Sequence, residues 1–167
     1  MGKKMRNRIG SCAVLILILA QLTGCSSAGD RVTVPEWSVD ATMYEVNIRQ
    51  YTKEGTFKAF EEHLPRLQAM GVEILWFMPI YPISREKRLG TLGSYYSIAD
   101  YCEINPEFGT KEDFKHLVTT CHEMGFKVIL DWVANHTGWD HEWIRKHPDW
   151  YTKNAKGEII FPETWED

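Results

Sequence analysis

The sequence feature that most constrains this chain is a short apolar run followed directly by polar side chains, in residues 126–137. The run follows Gly125, a typical helix end, and predicts a strand buried on both faces of a parallel sheet. Asp131, Asn135 and His136 then arrive where this strand ends. In a parallel α/β barrel, strand ends and the loops after them build the active site. A carboxylate, an amide and an imidazole there can orient a polyhydroxylated ligand or a metal ion, or can simply stabilise the loop.

The pattern before this stretch predicts two further strands with a helical segment between them. Residues 43–48 alternate and residues 72–77 form an apolar run, so both are predicted strands. The helical stripe between them starts at Thr56, a suitable N-cap, is divided by Pro65 and ends at Gly71.

A second helix is predicted before the third strand. Thr110 and Asp113 resemble a capping box at its start, and residues 95–104 before it are predicted to be extended. The order of strands and helices indicates βαβ units and a parallel sheet, as in a (β/α)8 barrel or an open doubly wound sheet. No Gly-x-Gly-x-x-Gly follows the first strand, which argues against dinucleotide binding.

Composition and charge bound the function classes. The chain has 167 residues and a net charge of -4, which argues against a nucleic-acid partner. Aromatic residues make up 13% of the chain, which is compatible with sugar binding, although most aromatic rings serve packing. Cys102 and Cys121 are predicted to be two free buried thiols, and their pairing in an oxidising compartment stays open.

The N-terminus has the three regions of a processing segment. A basic start is followed by the apolar residues 12–20 and by Leu-Thr-Gly before Cys25. This order resembles a bacterial lipoprotein signal, which implies a signal peptide in residues 1–24, a lipid on Cys25 and a tether in residues 25–40. The protein would then be anchored in the bacterial cell envelope, facing the periplasm or the cell surface. The alternatives are a plain secretory signal and an uncleaved signal anchor.

Four segments resemble the α-amylase family (glycoside hydrolase family 13). Residues 44–50 resemble its first strand, and residues 71–80 resemble its second strand and exit. Residues 93–110 resemble the loop that brings a tyrosine to the sugar, and residues 131–136 (Asp-Trp-Val-Ala-Asn-His) resemble its first signature motif. The resemblance implies an α/β fold, namely about three βα units of a (β/α)8 TIM barrel and the start of the excursion domain after strand three.

The resemblance also implies roles for individual residues. Tyr96 matches the tyrosine that stacks on the sugar beside the cleaved bond, although it could be a packed loop aromatic. His136 matches the histidine that hydrogen-bonds the primary hydroxyl of that sugar. Asp131 and Asp100 are predicted to brace the site. Asn135 matches a residue that in many members binds a structural calcium ion, and an amide oxygen suits Ca²⁺.

The resemblance implies a retaining glycoside hydrolase that acts on α-glucans such as starch or maltodextrin. Residues 41–137 would hold three barrel strands and residues 138–167 the start of the excursion domain. No catalytic residue is expected in this chain, because the family places the nucleophile and the acid/base after strands four and five. The chain alone is therefore predicted to be inactive.

Two other readings stay open. One is a non-catalytic, lipid-anchored remnant that binds glycans through Tyr96, Trp132, Trp139 and Trp143. The other is a transglycosylase or isomerase of the same family.

Overall fold

A three-stranded parallel sheet lies at the centre of residues 40–161. The computed structural model describes residues 33–161, so the predicted signal in residues 1–24 and Cys25 lie outside the described part. The chain divides into two units after Val39. The described residues of the first unit contain one 3-10 turn, Glu36–Ser38.

All three strands of the sheet are parallel, and β2 lies in the middle. The strands are β1 (Met43–Val46), β2 (Ile74–Phe77) and β3 (Lys127–Leu130). Their register pairs the last residues of the strands, Val46, Phe77 and Leu130. The three strands therefore end together at one edge of the sheet.

The helices lie in the connections and after β3. They are α1 (Ile48–Tyr51), α2 (Phe57–Glu61), α3 (Leu64–Ala69), α4 (Lys111–Glu123) and α5 (Glu142–Lys146), with a 3-10 turn at Pro148–Trp150. The N-cap prediction at Thr56 is confirmed, since its hydroxyl oxygen accepts the Ala59 N–H at 3.2 Å. The capping box of Thr110 and Asp113 is complete, and Pro65 stands at the start of α3. These local signals therefore set the helix starts as predicted.

The core is an aromatic and aliphatic cluster formed by the sheet and the helices that follow β1 and precede β3. Phe77 of β2 meets the ring of Phe60 edge-on at 5.5 Å between centroids and that of Phe114 at 6.1 Å. Leu117 and Cys121 of α4 are fully buried beside them. Fully burying a Phe or Leu side chain contributes roughly 1.5–3 kcal/mol. Burial also raises the pKa of the Cys121 thiol to about 12.

Three sequence predictions about this region are wrong. β1 ends at Val46 rather than at residue 48, because Ile48 begins α1 and its side chain enters the core. β3 is not buried on both faces: Ile129 and Leu130 are 40% and 39% exposed, since among the described residues β3 pairs with β2 alone. Cys102 is exposed rather than buried.

The loops after β2 and β3 differ from the predicted picture. Residues 95–104 were predicted to be extended, but they form turns and bends with a single antiparallel bridge between Ile98 and Ile83. Residues 138–161 contain α5, a 3-10 turn and one isolated bridge, and their assignment to an excursion domain in residues 138–167 stays a prediction. Within the described chain, no helix is long and apolar enough to cross a membrane.

Candidate functional site

The C-terminal edge of the sheet carries the predicted polar residues. The hydrogen-bond ladder continues one residue past the strands: Met78 N–H donates to the Val46 carbonyl at 3.0 Å, and Asp131 N–H donates to the Phe77 carbonyl at 2.9 Å. The backbone of Asp131 is therefore fixed at the strand end, where the sequence predicted a functional carboxylate.

Four predicted side chains meet at this edge. The Tyr96 hydroxyl donates to Asp131 Oδ2 at 3.0 Å, and His136 Nε2 lies 3.0 Å from the Tyr96 carbonyl oxygen. Asn135 Nδ2 lies 3.2 Å from His136 Nδ1. We call Tyr96, Asp131, Asn135 and His136 the edge site. The Tyr96 side chain is 37% exposed, so part of its ring is accessible to a ligand.

The hydrogen bonds of His136 define its tautomer. A carbonyl oxygen only accepts, so Nε2 carries the proton that it donates to Tyr96. Asn135 Nδ2 donates to Nδ1, which therefore presents a lone pair. In this arrangement His136 donates through Nε2 and accepts through Nδ1.

The electrostatics of the edge site keep Tyr96 protonated. Burial raises the pKa of the Tyr96 hydroxyl, and the hydrogen bond to Asp131 and the negative charge of that carboxylate raise it further. The hydroxyl is therefore a permanent donor at neutral pH, and it occupies one oxygen of Asp131. This contact holds the Tyr96 ring against the end of β3.

Asp100 lies in its own turn, where Oδ1 accepts the Cys102 N–H at 2.7 Å. This turn presents Tyr101, a residue that sequence reasoning did not single out. The Tyr101 hydroxyl hydrogen-bonds the carbonyls of Val133 and of His136, the latter at 2.6 Å.

A second missed group joins the loop after β2 to the loop after β3. Asp140 Oδ2 accepts the N–H of Arg85 at 2.8 Å and that of Glu86 at 3.4 Å. Burial acts to raise the pKa of Asp140, but these donors and the Ser84 hydroxyl outweigh it and hold the pKa below its usual range. Gly138 packs directly on the buried Ser84, and its N–H donates to the Ile98 carbonyl at 2.7 Å. Through Gly138 and Asp140, the loop that carries His136 is therefore held to the loop after β2.

The residues after β1 hold the segment that leads into Tyr96. The Arg49 guanidinium lies 4.4 Å from the centroid of the Tyr95 ring, and Nη2 donates to the Leu92 carbonyl at 3.4 Å. The same Nη2 lies 3.7 Å from Glu107 Oε2. The side chain of Arg49 is only 15% exposed, whereas that of Glu107 is 63% exposed, so the ion pair is open to water on the Glu107 side. Tyr96 is therefore supported from the ends of both β1 and β3.

The tryptophans of the glycan-binding alternative divide into two kinds. Trp132 is 69% exposed, directly after Asp131. Trp139 instead lies under the Lys87 ammonium at 3.5 Å, and Trp143 stacks on Tyr101 at 5.6 Å between centroids. Trp132 therefore offers the more open ring to a ligand.

The calcium ion that the family resemblance implies at Asn135 stays a prediction. Ca²⁺ takes six to eight oxygen ligands, and Asn135 supplies one amide oxygen. Among residues 33–161, no group of three His, Cys, Asp or Glu side chains is placed to hold a metal ion.

The parallel sheet with polar loops at its C-terminal edge defines an α/β protein, and comparison with known proteins gives the family. A family profile described as the alpha amylase catalytic domain matches residues 26–167. The chain belongs to the α-amylase family, and its three parallel strands are part of the TIM-barrel fold of that family.

Two solved structures are similar to this chain. An alpha-amylase from Lactobacillus plantarum is 43% identical, with a TM-score of 0.72 over 75% of this chain and 30% of that structure. A maltogenic alpha-amylase from Thermotoga neapolitana is 42% identical, with a TM-score of 0.67 over 70% of this chain and 28% of that structure.

A curated trehalose synthase from Pimelobacter sp. (strain R48) is 40% identical over 123 residues, which are 69% of this chain and 20% of that enzyme. The chain covers from 19% to 25% of the length of the first curated relatives that it matches. It therefore corresponds to a minor part of each of these enzymes.

Proposed function

We propose that the edge site binds one glucose unit of an α-glucan. The observation that carries this proposal is the set of contacts that joins Tyr96 to Asp131 and His136 at the strand ends. The partly exposed ring of Tyr96 provides a face on which a sugar ring can stack, and the polar side chains fix the orientation of that sugar through hydrogen bonds. The names of the similar alpha-amylases support an α-glucan as the ligand.

Titration calorimetry with maltoheptaose tests this binding. We expect saturable heat from the 167-residue chain and at least about tenfold weaker binding by Tyr96→Ala, because the stacking face and the bond to Asp131 are both lost. Met70→Ala is the matched control, since Met70 is exposed and ends α3 before β2, at the opposite edge of the sheet. Equal affinities of the two variants would contradict the proposed site.

We propose that the function of the whole protein is that of an α-glucan-acting glycosidase with retention of configuration, and that residues 1–167 alone are inactive. Retention uses two carboxyl groups roughly 5–5.5 Å apart. The family places them after strands four and five, and the described residues contain three strands. In the edge site the carboxylate of Asp131 is engaged by Tyr96.

Release of reducing sugar from soluble starch tests the predicted inactivity. The purified chain should release no more sugar than a His136→Ala variant does. Turnover above that control would show that the chain carries catalytic carboxylates of its own.

Transglycosylation or isomerisation is a second candidate, supported by the 40% identity to a trehalose synthase. In a longer protein with both catalytic carboxylates, products formed from maltose distinguish the candidates: hydrolysis gives glucose, and isomerisation gives another disaccharide.

A non-catalytic glycan-binding protein is a third candidate, favoured by the exposed ring of Trp132. Reading the gene beyond codon 167 tests it, because a downstream frame with the carboxylates would favour an enzyme.

We also propose that residues 1–24 are a lipoprotein signal, that Cys25 carries lipid and that residues 25–40 tether the protein to the bacterial cell envelope. The family match begins at residue 26, which leaves the signal and Cys25 outside the catalytic domain. Metabolic labelling with a clickable palmitate analogue should mark the expressed protein and not Cys25→Ala. Equal labelling of both proteins would contradict the proposal.

A structural calcium ion at Asn135 stays a separate proposal that requires oxygen ligands besides those described. Melting with and without a chelator tests it: a calcium-dependent rise in Tm that Asn135→Ala abolishes would support it, and identical curves would contradict it.

A further inference from the structure

The Tyr101 hydroxyl holds two carbonyl groups of the loop that carries His136. It hydrogen-bonds the carbonyl of Val133 and, at 2.6 Å, that of His136. Both partners only accept, so the hydroxyl proton serves both oxygens. These bonds join residues 32 and 35 positions apart in the sequence and close the turn between them.

The ring of Tyr101 is placed by contacts that do not involve its hydroxyl. It stacks on Trp143 at 5.6 Å between centroids and meets Tyr81 edge-on at 5.5 Å. Burial, followed by the neighbouring Tyr81 and Tyr151, raises the pKa of the Tyr101 hydroxyl, so it keeps its proton at neutral pH. The hydroxyl is therefore a fixed donor at a fixed place.

Two different anchors thus act on one residue. Tyr101 holds the backbone carbonyl of His136, while the imidazole of His136 donates to the carbonyl of Tyr96. With its backbone held at one end, the imidazole can reach only a small volume. A carbonyl released from Tyr101 would let the turn rotate and take the imidazole away from Tyr96.

We propose that Tyr101 is a positioning residue that orients His136 in the edge site through the hydrogen bonds of its hydroxyl to the Val133 and His136 carbonyls. The consequence for sugar affinity rests on the proposed function, because only there does His136 meet a sugar. The positioning itself does not depend on that function.

Hydrogen–deuterium exchange of the 167-residue chain, wild type and Tyr101→Phe, tests the proposal. Phenylalanine keeps the stacked ring and removes only the hydroxyl. Amides of residues 133–138, which include the Gly138 N–H, should exchange about two- to tenfold faster, because the one O–H donor that the two carbonyls share is lost. Amides of β2 and α4 should be unchanged. Tyr81→Phe removes the same atom from the neighbouring ring and should leave residues 133–138 as in the wild type.

The outcomes separate the two proposals. Faster exchange confined to residues 133–138, with weaker maltoheptaose binding by Tyr101→Phe, supports both. The same local change in a protein whose wild type binds no maltoheptaose supports the positioning role and contradicts the proposed function. Unchanged exchange, the same change in Tyr81→Phe, or faster exchange throughout the chain with a large loss of stability would overturn the positioning role.

Discussion

Gly138 stands where any side chain collides with Ser84. A Cβ added at Gly138 lies 2.2 Å from Ser84 Cβ and 3.1 Å from the Ile98 carbonyl oxygen, whereas carbon atoms in contact lie roughly 3.5–4.0 Å apart. Ser84 is fully buried, and its N–H donates to the Ser97 carbonyl at 2.7 Å. A Cβ atom cannot move by side-chain rotation, so one of the two loops must shift.

We expect Gly138→Ala to lower the free energy of unfolding by about 2–4 kcal/mol. Overpacking of a buried site costs about 1–3 kcal/mol. Loss of the bond from the Gly138 N–H to the Ile98 carbonyl would add about 1 kcal/mol. Backbone strain adds nothing, since Gly138 has no left-handed φ.

Urea unfolding followed by tryptophan fluorescence measures this loss. Gly71→Ala is the matched control, because Gly71 has a φ of +81° with nothing within 4 Å of an added Cβ, so only strain of roughly 1–2 kcal/mol is expected. Ser84→Gly should recover much of the loss when combined with Gly138→Ala and none when combined with Gly71→Ala. Absence of coupling between positions 84 and 138 would refute the reasoning.

Three further predictions concern single groups. Tyr96→Phe keeps the ring but loses the bond to Asp131, so maltoheptaose affinity should fall about two- to tenfold in calorimetry, less than for Tyr96→Ala; an equal loss in both variants would argue against stacking. The backbone N–H and the hydroxyl of Thr110 hold the pKa of Asp113 below its usual 3.8, so its contribution to stability is complete above that pH and is lost as the pH falls through the lowered pKa. Asp113→Asn should therefore flatten the acid side of the profile of stability against pH, and an unchanged profile would contradict this. Iodoacetamide at pH 8 should modify the exposed Cys102 and spare Cys121, whose pKa is about 12, as peptide mass mapping would show; equal labelling would mean that Cys121 is accessible.

Features encoded within a few residues could be predicted from the sequence. The caps at Thr56 and Thr110 and the break at Pro65 depend on local geometry, and the structure confirms them. The end of β1 and the exposure of Ile129 were predicted wrongly, because they depend on which elements pack on those residues. An apolar run indicates a strand but does not indicate how many neighbours cover it.

The candidate site was likewise predictable only where neighbouring residues in the sequence encode it. Strand pattern alone placed Asp131 and His136 at one sheet edge, and the family resemblance brought Tyr96 to the same sugar. The contacts of Tyr96 with Asp131 and His136 were not predicted. Tyr101 and Asp140 were missed because their partners lie from 32 to 55 positions away in the sequence. No local pattern marks a side chain whose role is to hold a distant backbone.

The proton that His136 donates to Tyr96 is already in use. A sugar hydroxyl that accepted the Nε2 proton of His136 would replace the Tyr96 carbonyl as its acceptor. Ligand binding at Nε2 would therefore exchange one hydrogen-bond acceptor for another. The gain would be the difference between two hydrogen bonds, and the segment around Tyr96 would lose an anchor as the sugar gained one. A ligand that only stacks on the ring would leave that segment tied, so the mobility of residues 94–97 would report which part of the site a ligand occupies.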